Sequence, residues 1–417
     1  MIPSAAEKSR LLRWRLTVLL GLGAICYWAL FAVYPHLLWS FGVHDYGPWF
    51  LDLFAVLASN DAVSRGFDPY VPNALDYFHR PHVYSHWWLH LRDLGLTRAD
   101  VRWLALTLIG LFLVAALSRL RPREPRQLLF YLAVLCSSPV LLAVNRANND
   151  LVIFILLTPL VPCLLDSRSS VRLVGLLLIA AAAALKYYPA VAGLLLLTSA
   201  PGRDLRWRVG LMAALLVAVG LDVLPNVSAF GGLAPHPDGL MTFGAMALFH
   251  SLGWDGLAPT LVTLALGAAA FGWFWRSRRF DGWTLRADQQ ADWLHFVLGS
   301  ALLAGCFFAS PNYAYRWIFA LWLAPLLWTL PADATAPESV RRLARLTRGL
   351  LLGVLWIDAA YCMVLNRFIG SVPFPTLGLW ADRLFIVEQP LVWAFFGCML
   401  AFLAYFTRSG LRGLLAR

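Results

Sequence analysis

The sequence predicts an all-α integral membrane protein, a polytopic helical bundle of about twelve transmembrane helices, and three observations predict it. Of its 417 residues, 60% are hydrophobic and only 14% charged, where a soluble domain carries about 25% charge. The mean hydropathy of +0.67 means more apolar surface than a water-facing fold can hide, and it is what a chain solvated by lipid requires. The basic residues behind the net charge of +11 fall in short clusters between apolar runs: Arg10, Arg13 and Arg15; Arg119 to Arg126; Arg203 to Arg208; Arg276 to Arg279; Arg341 to Arg348; Arg408 to Arg417. That spacing marks the cytoplasmic ends of spans and excludes a nucleic-acid face.

With those clusters placed in the cytoplasm, the apolar runs order themselves. The first, about 16–40, is too long for a signal-peptide core and reads as an uncleaved span running outward. Spans follow at about 101–118, 128–145 and 151–166. Between Arg172 and Arg203, Lys186-Tyr187-Tyr188-Pro189 splits an apolar run into two short spans that meet at the break. Further spans are expected at about 209–226, 257–275, 292–310, 317–330, 348–366 and 390–407. Both termini then lie in the cytoplasm, residues 1–417 form a single polytopic transmembrane domain with no separate soluble domain, and three long connections, about 43–100, 227–256 and 367–388, face outward. The six cysteines are scattered through apolar runs without ligand spacing, which predicts neither a disulfide framework nor a zinc site.

The polar residues that break the apolar pattern gather at the outer ends. The first outer connection reads His44-Asp45-Tyr46-Gly47-Pro48-Trp49-Phe50-Leu51-Asp52 before an apolar helical stretch from Leu53 to Val63, then Arg65-Gly66-Phe67-Asp68-Pro69-Tyr70. Asp52 opens that helix, so it is either an N-cap or a general base at the mouth of a cleft, accepting a proton from an attacking hydroxyl. His79, His82, His86 and His90 follow with Trp87 and Trp88. The last three histidines share a helical face at i, i+4, i+8 spacing, as either a metal cluster or the side of an interfacial helix.

Asn145-Arg146-Ala147-Asn148-Asn149-Asp150 comes next, after Ser138-Pro139. It is either a tight turn or a set of amides and a guanidinium for sugar hydroxyls or phosphate. Only two of the 34 basic residues are lysines, so Lys186 between Leu185 and Tyr187-Tyr188 departs from the chain's own habit. An intramembrane ammonium there can snorkel to the interface or neutralise a lipid-linked phosphate. Arg316 in Ser310-Pro311-Asn312-Tyr313-Ala314-Tyr315-Arg316 is a second cation of this kind, set in what is otherwise an aromatic belt. Asp222, His236, Asp238, His250, Asp358 and Arg367 also map to the outer half, and their spacing assigns them no role.

Taken together, the aspartate after the first span, the Gly66-x-x-Pro69-Tyr70 group, the Ser138-Pro139 with its Asn-rich turn, and Leu185-Lys186-Tyr187-Tyr188-Pro189 resemble the GT-C superfamily of membrane glycosyltransferases. The nearest likeness is to glycosyltransferase family 87, the polyprenol-phosphate-mannose-dependent mannosyltransferases. The resemblance implies a GT-C fold, a polyprenyl-phosphate sugar as donor, a lipid or glycan acceptor, and inverting transfer of mannose or another sugar at the outer face of the membrane, while the arginine-rich, lysine-poor usage points to a bacterial inner membrane. It maps the family's catalytic aspartate onto Asp52 and its lysine before a proline onto Lys186. Arg316, Arg146, Asn148, Asn149, Tyr187 and Tyr188 are then expected around the donor phosphate and sugar, with Asp45, His44, Tyr315 and His250 in support.

No metal or other cofactor is expected, because a lipid phosphate is already a good leaving group that cationic side chains can stabilise. This chain has Asn145-Arg146-Ala147-Asn148-Asn149 where the family often has Gly-Gln-x-Asn, and Tyr313-Ala314-Tyr315-Arg316 where it often has Ser-Trp and histidines. The alternative from another class is a transporter or flippase of a lipid-linked or small polar substrate, which needs a polar path through the inner half as well.

Overall fold

Why the apolar runs do not all become full spans is answered by their prolines. The computed structural model describes residues 5–43, 48–197, 202–231, 239–254, 256–277, 280, 283, 285–309 and 311–415. Among these, six helices are long and apolar enough to cross a membrane: Ala6–Val33, Arg98–Arg119, Leu257–Arg276, Ala287–Ala309, Glu338–Phe368 and Pro375–Ser409. Pro125–Leu135 and Ser138–Arg146 make a seventh if their 53° bend lies within one span.

Not every one of the expected spans is among these, because several apolar runs are short or broken. Pro159 divides the run after Asn149, and the stretch after Lys186 is a 3₁₀ helix, Tyr188–Leu197. The run near 317–330 is a 3₁₀ helix, Ala314–Trp322, followed by the six-residue helix Ala324–Thr329. Hydropathy counts apolar side chains and does not register a proline, which removes an amide from the helical ladder and clashes with the preceding turn. Of the positions singled out in the sequence, His44, Asp45, His236, Asp238 and Ser310 lie outside the described residues.

The chain divides into two compact units. The larger comprises Met1–Asp45, Leu113–Leu142 and Pro237–Arg408. Its most enclosed span is Ala287–Ala309, with 78% of an apolar 18-residue stretch buried, whereas Leu257–Arg276 has 17% of such a stretch buried and turns Leu261, Leu264 and Trp273 outward, as a lipid-facing helix does. Phe307 and Phe396 stack with ring centroids 3.8 Å apart, and Trp317 meets Phe243 edge-on at 5.2 Å. Gly299 lets the Gln290–Ala309 helix approach the Ala314–Trp322 segment: a Cβ there would stand 2.8 Å from the Phe319 carbonyl oxygen and 2.5 Å from Leu323. A small two-stranded sheet pairs Thr242–Phe243 with Asn312–Tyr313, antiparallel.

The smaller unit comprises Tyr46–Phe112, Ala143–His236 and Ser409–Arg417. Leu53 and Leu57, one turn apart on the Leu51–Ser64 helix, pack with Ala105 and Ala147. Asn60 on the same helix is fully buried and acts as a staple. Its Nδ2 donates to the Val56 and Trp88 carbonyls at 2.8 and 2.9 Å, and its Oδ1 accepts from the Arg92 amide at 2.8 Å. The Trp88 indole then donates to the Leu185 carbonyl at 3.2 Å, satisfying one of the acceptors left at the end of the Ser169–Leu185 helix. These ties hold the first long connection, Asn145–Asp150 and Lys186 within one body.

Candidate active site

Two backbone departures prepare the site. Phe50, which caps the Leu51–Ser64 helix, has φ 70°, and Ala147, between the helices Ser138–Arg146 and Asn149–Leu157, has φ 44°. Left-handed backbone in a residue with a Cβ costs of order 1 kcal/mol or more and persists only where the surroundings demand it. Here the two segments are bound to each other, the Phe50 amide donating to the Asn145 carbonyl at 2.6 Å. The reversal at Ala147 turns Arg146 and Asn148 toward the start of the Leu51–Ser64 helix.

Asp52 lies in the first turn of that helix, 4% exposed, and its carboxylate caps no amide. The N-cap reading of Asp52 therefore gives way to another. Oδ2 accepts from Asn148 Nδ2 at 2.6 Å, Oδ1 accepts from Arg146 Nη1 at 3.1 Å, and Arg80 Nη1 stands 3.7 Å from Oδ1. Arg80 is aimed by Asp76: its Nε and Nη2 both donate to that carboxylate at 2.9 Å, while a further bond runs from Nη2 to the Leu51 carbonyl at 3.0 Å. A bidentate fork of this kind fixes direction as well as distance. Burial pushes the Asp76 carboxyl up, but the hydrogen bonds and charge of Arg80 and the Phe78 amide outweigh it and hold the group below its usual range. For Arg80, burial opposes the charge, and Asp76 followed by Asp52 raises its pKa above the ordinary guanidinium value.

Asn148 has a second bond. Its Oδ1 accepts from the Asp150 amide at 2.9 Å, capping the Asn149–Leu157 helix. The Asp150 side chain, fully buried, pairs with the Lys186 ammonium and accepts from the Tyr188 hydroxyl at 2.7 Å. Lys186 is thus committed to a carboxylate and lies 5.9 Å from the Tyr84 ring centre, so the snorkelling reading does not describe it. Counted together, Asp52, Asp76 and Asp150 balance Arg80, Arg146 and Lys186. Asn149 is buried beside them, with no protein hydrogen-bond partner for its Nδ2, and Tyr187 is 39% exposed.

The structure therefore brings Asp52, Arg146 and Asn148 into direct contact and ties Lys186 and Tyr188 to them through Asp150. Arg316, Tyr315 and His250 belong to the larger unit; Arg316 Nη2 donates to Asn312 Oδ1 at 3.1 Å. His82, His86 and His90 do not share one helical face, because the helix begins only at His86 and is a 3₁₀ helix ending at Leu94. His82 Nε2 faces the Ser85 carbonyl at 3.2 Å, His86 stands 3.4 Å from Asp222, and His90 pairs with Asp93 at 2.7 Å. Arg80 and Asp76 were not singled out in the sequence; their i, i+4 spacing was the available signal.

A helical membrane fold with a buried, charge-balanced polar cluster around one aspartate defines a polytopic membrane protein with a carboxylate-centred site. Residues 88–311, more than half of the chain, match the model of glycosyltransferase family 87, and the protein belongs to that family. It is a membrane glycosyltransferase. The matched stretch contains Arg146, Asn148, Asp150 and Lys186, and it begins after Asp52 and Arg80. No curated relative and no solved structure gives a significant match.

Proposed function

We propose that the protein transfers a sugar from a polyprenyl-phosphate donor to a hydroxyl of a lipid or glycan acceptor at the outer face of the membrane, with inversion and with Asp52 as general base. The observation that carries this reading is the contact set of Asp52: a buried carboxylate held by one amide and flanked by two guanidiniums. The guanidiniums are the more open members, with side chains 27% and 15% exposed for Arg80 and Arg146 against 6% for Asp52. An entering phosphodiester therefore meets arginine first.

In the proposed step Arg146 shares its donors between Asp52 and the donor phosphate, a bidentate guanidinium suiting both. Asn148 keeps Asp52 in place meanwhile. The acceptor oxygen attacks the anomeric carbon, the bond from that carbon to the phosphate oxygen breaks, and the acceptor proton passes to Asp52. Polyprenyl phosphate leaves as a monoester, its added charge stabilised by Arg146 and Arg80. Lys186 acts at one remove, through Asp150 and the cap on Asn148. A resident metal is not needed for this step.

Membership of a glycosyltransferase family favours this reading over a transporter. The test supplies the purified protein in proteoliposomes with a membrane lipid extract and, in separate reactions, a panel of radiolabelled polyprenyl-phosphate sugars or radiolabelled nucleotide sugars. Label moving to a new lipid or glycan from one of these donors is expected; label moving only from nucleotide sugars would overturn the donor class.

A further inference from the structure

The larger unit holds a second pair of buried acids, on helices that the transfer chemistry does not use. Asp358 lies in the Glu338–Leu365 helix and Glu388 in the Phe374–Leu415 helix, exposed by 7% and 4%. Their carboxyl groups face each other within hydrogen-bonding reach. Asp358 Oδ2 accepts from the Met241 amide at 2.9 Å, pinning a residue with φ 64°. Asp358 Oδ1 and Glu388 Oε2 receive no donor, and the same holds for Thr242 Oγ1 and Gln389 Oε1. All four side chains line one cavity of about 10 Å³, closed by Phe307 and Trp317. A space of that size takes a single water or ion.

The partnerless atoms of these four side chains are all oxygens, and among the described residues no lysine or arginine is paired with either acid. Two carboxylates buried in lipid-spanning helices without a positive charge are strongly disfavoured. Among the described residues no three of His, Cys, Asp and Glu gather as a metal cluster. The donor set here is different in kind: two carboxylates, an amide carbonyl and a hydroxyl, which are hard ligands of the type that calcium and magnesium take. Their charge of two is what one divalent cation cancels.

We infer that Asp358, Glu388, Gln389 and Thr242 form a binding site for one hard divalent cation in the larger unit. The ion bridges the two spans and, through Asp358 and Thr242, fixes the Thr242–Phe243 strand that pairs with Asn312–Tyr313.

The test uses the full chain in detergent, stripped with a chelator and titrated with Mn²⁺, bound ion being read from loss of the free-ion EPR signal. One Mn²⁺ per chain, displaced by Ca²⁺ or Mg²⁺ and raising the thermal midpoint, is the expected result. Glu388→Gln, which keeps size and hydrogen bonding, lowers the affinity by at least about tenfold. Thr242→Val, which removes one neutral ligand and no charge, lowers it less and serves if Glu388→Gln fails to fold. If the wild type takes up no Mn²⁺, or if uptake is the same in both variants, the site does not exist and the acids hold a proton between them instead.

Discussion

The two units bury carboxylates in opposite ways. In the smaller, every acid of the central cluster has a cation beside it: Asp52 with Arg146 and Arg80, Asp76 with Arg80, Asp150 with Lys186. In the larger, Asp358 and Glu388 face each other with no cation paired to them among the described residues, and one oxygen on each of four side chains lacks a hydrogen-bond partner. A cluster whose charges cancel internally can hold its geometry before substrate arrives, which is the condition for electrostatic catalysis. A pair of acids with no cation beside it is incomplete until something positive joins it. The first arrangement suits a reaction in which a guanidinium is lent to a phosphate, the second a site that retains an ion.

The comparison can be broken most forcefully at Lys186. Lys186→Met leaves the fully buried Asp150 without its ammonium, and removing one partner of a buried pair costs about 3–5 kcal/mol. The measurement is a double-mutant cycle by thermal or denaturant unfolding, in which Lys186→Met with Asp150→Asn recovers most of the loss. A single variant as stable as the wild type would show that the smaller unit does not depend on internal pairing.

His82 offers a pH test of the same unit. Burial pushes its imidazole down to about 4, opposed by the Ser85 carbonyl. The unfolded chain, whose histidine titrates at the ordinary value of 6.5, takes up a proton that the folded chain refuses. Stability from this group is therefore complete above 6.5 and falls as pH drops toward 4, by an amount of order 3 kcal/mol. His82→Gln should flatten that acid slope in a series of unfolding curves; an unchanged slope would count against a neutral buried imidazole.

The smallest of these effects is expected at Arg80. Arg80→Lys keeps the charge and loses the fork on Asp76, so the cation near Asp52 is no longer aimed. Transfer should fall by about tenfold with little change in unfolding. A stability loss with unaltered transfer kinetics in the folded fraction would make Arg80 a scaffold residue only.

How much of this was legible in the sequence depends on distance along the chain and on breaks in it. The membrane class was plain from composition, and the polar group at Arg146 to Asp150 stood out because charges and amides interrupt an apolar run. Its internal pairing was not legible: Lys186 reads as a lone ammonium until the fold brings it to Asp150, 36 residues earlier. Arg80 escaped notice because its aim at Asp52 comes through Asp76, in a segment that is not helical, and through the Leu51 carbonyl, 29 residues away. Several expected crossings are not among the six helices long enough to span, because hydropathy reads the runs around Pro139 and Pro159 as if they were continuous.

The central claim is that Asp52 takes the acceptor proton, and single-turnover transfer by Asp52→Asn tests it most directly. Asparagine keeps the shape and can still meet Arg146, so binding of the lipid-linked donor should survive. The account predicts that, in proteoliposomes, the rate of label transfer falls by about a thousandfold with donor binding within a few-fold of wild type. Transfer by Asp52→Asn at the wild-type rate would contradict it.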